Sequence, residues 1–279
     1  MTEVKIGNFC IGNDNPFTII AGPCQIETLD HAKHICSTVK DLCEHYGFNF
    51  VYKSSYDKAN RTSLDGERGV GLEQGLEILS RIKKEFDVPI LTDVHERSQI
   101  KWIEEFHKNV IDVYQIPAFL CRQTDLLLEA GKTGKTVNVK KGQFLAPHDM
   151  QKVADKIAST GNTNILLTER GFTHGYNNLV VDMRSLPVME RTGYPVVYDA
   201  THSVQQPGGL GQSSGGDRSM VSYLVRAAVA TGSISAIFME THQDPDNAPS
   251  DGPNMIQLNK LEDYLRDIKV LYEATRQFN

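Results

Sequence analysis

Eight short runs rich in β-branched or aromatic residues recur along this chain at intervals of roughly 25 to 40 residues, the spacing of repeated βα units. They begin near Phe17, Asn49, Val88, Asp112, Thr136, Asn164, Pro195 and Ala236. Segments of helical periodicity separate them. Leu29, Ala32, Cys36, Val39, Leu42, Cys43 and Tyr46 form one apolar stripe, and Leu72, Leu76, Leu79, Ile82 and Phe86 another. Leu258, Leu261, Leu265, Ile268 and Tyr272 repeat the pattern near the end. A closed (β/α)8 barrel and an open doubly wound sheet both satisfy this order, and eight units with a terminal helix favour the α/β TIM barrel. The length of 279 residues agrees, since one such barrel commonly takes about 250. No Pro/Ser-rich linker divides the chain, so residues 1–279 read as a single domain.

Nearly every expected strand ends in a chemically capable side chain. Cys24 follows the first, Lys53 ends the second, Asp93 and His95 mark the third, and Gln115 the fourth. Lys140 closes the fifth, Arg170 follows the sixth, His202 follows the seventh, and Glu240 ends the eighth. A barrel gathers all eight C-terminal strand ends around one mouth, where active sites of this fold sit. An open sheet would spread them along an edge.

Charge narrows the possible partners. The chain carries 29 Lys plus Arg against 35 Asp plus Glu, a formal net charge of −6, with none of the basic clusters expected of a nucleic-acid or anionic-membrane binder. The N-terminal residues show no basic stretch followed by an apolar run, and no segment approaches the ~20 apolar residues of a spanning helix. A cytoplasmic protein is expected. Cys10, Cys24, Cys36, Cys43 and Cys121 form an odd set without CxxC spacing, which suits a reducing compartment.

Two glycine-containing segments imitate nucleotide motifs and fail. Gly131 to Thr136 lacks the leading glycine of a P-loop, with Glu129 in that position, and precedes a strand where it should follow one. It reads as a solvated turn. Gly209 and Gly211 are followed by Ser214 at the third glycine position of a dinucleotide fingerprint. The run Gly208 to Gly216 is therefore expected to be a mobile loop over the mouth. His31, His34, His45, His107, His148 and His174 show no metal-ligand spacing and read as surface or satisfied core histidines, and Trp102 reads as packing.

If the barrel closes, the seventh, eighth and first strands are neighbours, which brings His202, Glu240 and Cys24 to one arc of the rim. Asp251, in the loop after the eighth strand, can reach the same point. A thiolate, an imidazole and two carboxylates suit a divalent transition metal with one or two positions left open. Spacing alone fits equally well a buried Cys24 beside carboxylates in ordinary hydrogen bonds. The opposite arc is cationic: Lys53, Lys58, Arg61, Lys140 and Arg170 at strand ends and adjoining loops suit anionic, phosphorylated substrates.

Several motifs resemble one family. Lys53-Ser54-Ser55-Tyr56-Asp57-Lys58-Ala59-Asn60-Arg61-Thr62-Ser63 resembles the pentose-phosphate-binding loop of the 3-deoxy-D-manno-octulosonate 8-phosphate synthases. The likeness continues through Thr92 to Glu96, Gln115 to Leu120, Arg122 to Leu126, Glu169-Arg170-Gly171 and Asn178 to Met183. It closes with Thr201 to Gln205, Glu240-Thr241-His242 and Ser250-Asp251-Gly252-Pro253, so it spans nearly the whole chain in order.

The resemblance implies a (β/α)8 transferase, usually a homotetramer, that condenses phosphoenolpyruvate with D-arabinose 5-phosphate on the route to lipopolysaccharide. Sister synthases that use erythrose 4-phosphate carry Lys-Pro-Arg-Thr in the loop; Ala59-Asn60 here implies the pentose substrate. Metal-independent members have asparagine where this chain has Cys24, so the resemblance implies a metal-dependent enzyme with Cys24, His202, Glu240 and Asp251 as ligands to Zn, Fe, Mn or Co. It also implies that Lys140 and Arg170 clamp phosphoenolpyruvate with Lys58 and Gln115, and that Asn60 contacts the sugar chain. Arg61 with Thr62 or Ser63 would hold the distal phosphate, and Lys53, Asp93 and Gln205 would complete the substrate site. His202, Lys140 and Asp251 are the expected catalytic residues. A non-catalytic phosphosugar-binding barrel is the competing class.

Overall fold

Eight parallel strands form a closed ring: β1 (Thr18–Gly22), β2 (Asn49–Lys53), β3 (Ile90–Asp93), β4 (Val113–Ile116), β5 (Thr136–Lys140), β6 (Ile165–Glu169), β7 (Val196–Asp199) and β8 (Ala236–His242). Each pairs with the next, and Ala236 of β8 sits in register with both Val197 of β7 and Thr18 of β1, which closes the barrel. The computed structural model describes residues 2–61, 63–209, 211 and 214–278. Eight helices follow the strands in turn: α1 (Leu29–Tyr46), α2 (Leu72–Phe86), α3 (Arg97–Phe106), α4 (Thr124–Lys132), α5 (Met150–Ala158), α6 (Ser185–Glu190), α7 (Val221–Ala230) and α8 (Leu261–Thr275). The expected strand starts agree with these to within two residues. The last helix begins later than its stripe, because Leu258–Lys260 forms a 3-10 turn first.

Strand alternation divides the apolar residues into two layers. Ile19, Tyr52, Ile90, Tyr114, Val137, Leu167, Tyr198 and Ile237 belong to the core against the helices, packing on Ile35, Leu79, Leu127, Val225 and Leu265. Ile20, Val51, Leu91, Val113, Leu166, Val197 and Phe238 form a separate core inside the ring. Each fully buried aliphatic side chain contributes about 1.5–3 kcal/mol relative to exposure. Helix ends follow local chemistry: the Thr28 hydroxyl accepts the His31 N–H at the start of α1, and Gly47 ends it in the left-handed conformation at φ +69°.

An N-terminal hairpin, Val4–Ile6 paired with Phe9–Ile11, was not foreseen. Its Val4, Ile6 and Ile11 join the inner core, and Thr136 at the start of β5 donates to the Lys5 carbonyl. The hairpin thus plugs the N-terminal end of the barrel. A second hairpin, Phe172–Gly175 with Asn178–Val180, extends the loop after β6. In the glycine-rich segment, Gln205–Gln206 pairs with Gly215–Gly216; Leu210, Gln212 and Ser213 lie outside the described residues. The expected P-loop mimic is a turn between α4 and β5, with Gly134 left-handed at φ +73°.

Candidate active site and metal centre

The inner apolar layer predicts the site by simple alternation. Two residues beyond Val51, Leu91, Val113, Val197 and Phe238 stand Lys53, Asp93, Gln115, Asp199 and Glu240, and beyond Asn138 stands Lys140. All are buried. They point to the C-terminal end of the barrel, where a cavity of about 370 Å³ opens. Gly22, at the end of β1, has no room for a side chain: a Cβ there would lie 2.0 Å from the Lys53 carbonyl oxygen. The close approach of β1 and β2 therefore requires glycine.

Ligand atoms of Cys24, Glu240 and Asp251 lie within 4.8 Å of one another. The Cys24 thiol donates to Asp251 Oδ2 at 3.2 Å, and His202 Nε2 stands 3.7 Å from that oxygen and 3.8 Å from Glu240 Oε2. Donor atoms around a tetrahedral zinc would be roughly 3.3–3.8 Å apart; Cys24, Glu240 and Asp251 form one group, while His202 stands outside it, close to the two carboxylates alone. Glu240 Oε2 is buried without a hydrogen-bond partner among the described residues, and an ion would satisfy it. The thiol, imidazole and two carboxylates fit a divalent transition metal.

Electrostatics hold these groups in different protonation states. Burial, reinforced by Glu240 and Asp251, pushes the Cys24 thiol well above its ordinary pKa. Burial also opposes ionisation of Glu240, but Lys53 and then His202 outweigh it and bring its pKa to about 2. Lys53 Nζ donates to Glu240 Oε1 and, at 3.0 Å, to the Cys24 carbonyl. Asp251 is held low by His202 despite its burial. For His202, burial disfavours the charged ring and Lys140 adds to that, but Asp199 and Glu240 together outweigh them, so its pKa rises.

Twelve of the expected site residues line the cavity: Lys53, Lys58, Asn60, Arg61, Asp93, Gln115, Lys140, Arg170, His202, Gln205, Glu240 and Asp251. Cys24 lies beneath it, 2% exposed. Ser63 is not in the lining; its hydroxyl accepts the Asp65 N–H at 3.3 Å within its own turn. Thr62 lies outside the described residues. Lys58 Nζ donates to Ser55, which donates to Asp93 Oδ1 at 2.5 Å, so the loop after β2 is tied to β3. Arg170 Nη2 donates to Gln205 Oε1 at 2.8 Å, and Gln205 Nε2 donates to Asp251 Oδ1 at 3.0 Å. One chain of contacts thus runs from the cationic arc to the candidate ligands. Arg61 reaches across the mouth to Ser250 Oγ at 2.6 Å and the Pro249 carbonyl at 3.0 Å.

Sequence reasoning missed Asp199, although it follows Val197 by two and precedes His202 by three. It also missed the buried pair Lys141 and Glu169, 3.4 Å apart, which braces the neighbours of Lys140 and Arg170. His31 departs from the expected surface or satisfied histidine: its ring is buried, neither nitrogen has a hydrogen-bond partner among the described residues, and it gathers with His242 and with Glu27, 3.6 Å from its Nδ1. That second cluster is poorly suited to a cation. The Asp244 N–H donates to His242 Nδ1 at 3.0 Å, so Nε2 carries the proton it shares with Glu27 at 2.8 Å.

Comparison with known proteins agrees with the geometry. A model of the DAHP synthetase I family matches residues 1–277. A 2-dehydro-3-deoxyphosphooctonate aldolase of Granulibacter bethesdensis is 59% identical over 266 residues, covering 95% of this chain and 93% of that protein. Proteins of the same name from Brucella anthropi and Bartonella quintana are 59% and 55% identical, covering 93% and 100% of this chain and 92% and 98% of theirs.

Proposed function

Since the chain belongs to the DAHP synthetase I family, we propose that it is a 3-deoxy-8-phosphooctulonate synthase. It condenses phosphoenolpyruvate with D-arabinose 5-phosphate and water, giving 3-deoxy-D-manno-octulosonate 8-phosphate and phosphate on the route to lipopolysaccharide. The observation that carries this reading is the cavity, lined by Lys140 and Arg170 from the strand ends and by Lys58, Asn60 and Arg61 from one loop. Two sets of cations suit two phosphorylated substrates, and relatives at 55–59% identity bear a name of the same chemistry.

Lys140 and Arg170 bind the carboxylate and phosphate of phosphoenolpyruvate, with Lys58 and Gln115 completing the clamp. Burial lowers both the Lys140 and Arg170 pKa values and Asp199 offsets part of the effect, its Oδ2 standing 2.7 Å from Lys140 Nζ. Asn60 orients the sugar chain; Arg61, with Thr62 or Ser63, holds the distal phosphate. Lys53, Asp93 and Gln205 fix the floor through the contacts described above. Held face to face, C3 of phosphoenolpyruvate attacks the aldehyde, water adds at C2, and C–O cleavage expels phosphate. Cys24, His202, Glu240 and Asp251 would hold a divalent ion, of zinc, iron, manganese or cobalt, which supplies Lewis acidity and orients oxygen ligands. His202 and Asp251 also face the reacting groups and can hold or move a proton there.

The whole of residues 1–279 acts as one catalytic unit in this reading. None of the described helices is long and apolar enough to cross a membrane, which is compatible with a cytoplasmic enzyme. A homotetramer is the assembly this reading carries.

The test is phosphate release from phosphoenolpyruvate with each aldose phosphate, before and after chelation. Turnover with arabinose 5-phosphate, lost on chelation and restored by a divalent ion, is expected. Preference for erythrose 4-phosphate would assign the sister reaction, and binding without turnover a non-catalytic barrel.

A further inference from the structure

The carboxylate of Asp199, at the end of β7, receives two side chains of the site. Its Oδ2 stands 2.7 Å from Lys140 Nζ, and both its oxygens approach His202 Nδ1, at 3.0 and 2.9 Å. Asp199 is fully buried, and its Oδ1 also accepts the His202 backbone N–H at 2.9 Å. Nε2 of the same ring faces Glu240 and Asp251.

A neutral imidazole carries its proton on one nitrogen, and the neighbours decide which. Lys140 Nζ lies 3.3 Å from Nδ1 and has only protons to offer, so it favours a bare Nδ1. Asp199 has only lone pairs and favours Nδ1–H. The carboxylate is the nearer of the two, and a bare Nδ1 would set two acceptors face to face. Lys140 meanwhile pairs in charge with Asp199 Oδ2 and with the face of the Phe238 ring, 3.9 Å from its centroid.

We infer that Asp199 is a positioning residue: it holds the Nδ1–H tautomer of His202, so that the Nε2 lone pair is presented to the Glu240 and Asp251 side, and it anchors Lys140 at the cavity floor. The same carboxylate thereby sets the register between the metal-binding arc and the phosphoenolpyruvate-binding arc. This rests on the reading of His202 as a metal ligand, and it adds the partner that makes the ring a competent one.

Two measurements on the whole enzyme test it. In metal-free protein labelled with ¹⁵N-histidine, at a pH where the ring is neutral, the His202 signals are assigned by their loss in His202→Gln. The wild type should show Nδ1–H, and Asp199→Asn, whose amide can donate to Nδ1, should shift the ring toward Nε2–H. An Nε2–H ring in the wild type overturns the inference whether or not the variant folds. The second measurement is a Co²⁺ titration followed by the thiolate-to-cobalt absorption band. Asp199→Asn should bind about 10- to 100-fold more weakly and raise the KM for phosphoenolpyruvate more than that for the sugar phosphate. Equal Co²⁺ affinity in a folded variant overturns the inference. A wild type lacking the band overturns the metal reading of Cys24 instead, and the tautomer measurement then decides the role of Asp199.

Discussion

The thiol of Cys24 and the carboxylate of Asp251 meet at 3.2 Å although 227 positions separate them in sequence. Only closure of the ring between β1 and β8 permits this, since Cys24 follows the first strand and Asp251 the loop after the last. Asp251 itself adopts the left-handed conformation at φ +53°, an uncommon backbone state for a non-glycine residue, which aims its side chain at the thiol.

Metal affinity should rise with pH. Burial raises the Cys24 pKa, so the thiol is protonated at neutrality and must release its proton when an ion binds. One proton displaced corresponds to an affinity gain of about tenfold per pH unit. Competitive Zn²⁺ titrations at pH 6.5 and 8 measure it. Cys24→Ala should flatten this dependence and abolish most of the metal-dependent activity; full activity in metal-free buffer would show that Cys24 has another role.

Arg61→Ala should raise the KM for the sugar phosphate by roughly 10- to 100-fold, the loss of a charge-assisted hydrogen bond of about 1.5–3 kcal/mol. Arg61 bridges to Ser250 and Pro249 at the rim, outside the main core, so the urea midpoint should hardly move. Steady-state kinetics with each substrate varied in turn provide the check, and an unchanged KM for the sugar phosphate would remove Arg61 from the phosphate site.

Lys53→Met should destabilise the fold by about 3–5 kcal/mol, because it leaves the Glu240 carboxylate buried without its cation. Lys53 and Glu240 are 1% and 0% exposed, so solvent cannot substitute for the lost partner. Chemical unfolding of the metal-free protein reads the difference. A change below 1 kcal/mol would mean that Lys58 or another cation takes over the pairing.

Acid should weaken the fold over a defined window. Burial opposes ionisation of Asp93, Asp199 and Glu240, but Lys58, His202 and Lys53 respectively lead the groups that hold their pKa values low. The unfolded carboxylates take up protons near pH 4, so below that the unfolded state binds more protons. The contribution is full above pH about 4.5 and is lost as pH falls toward 2 and below. Urea midpoints at pH 7, 5 and 3.5 should be similar for the first two and lower for the third; an equal midpoint at pH 3.5 would contradict the assignment.

Much of this was legible in the sequence, for a physical reason. Val51, Leu91, Val113 and Val197 alternate with helix-facing neighbours, and period-two alternation with a C-terminal polar residue is the local signature of a barrel strand. In the sequence the recurring β-branched and aromatic runs, each ending in a polar residue, placed Lys53, Asp93, Gln115, Lys140 and Glu240 around one mouth, where the structure also has them. Asp199 follows the alternation of Val197 as well, but His202, three residues on, masks it in the sequence as the chemical end of that strand. The first hairpin escaped because its strands are only three residues long, and the second because its strands are largely exposed and carry no buried apolar face. His31 was misread because its companion His242 is remote in sequence and is brought to it only by the adjacency of α1 and β8.

The Val4–Ile11 hairpin gives the barrel the topology of a flask rather than a tube. Its Val4, Ile6 and Ile11 deepen the apolar plug that Ile20, Val51 and Phe238 already form inside the ring. Lys53, Asp199 and Glu240 therefore stand on a dry foundation and meet water from the neck side alone. One-sided wetting lets so few buried charges keep a strength that a water-filled channel would dilute.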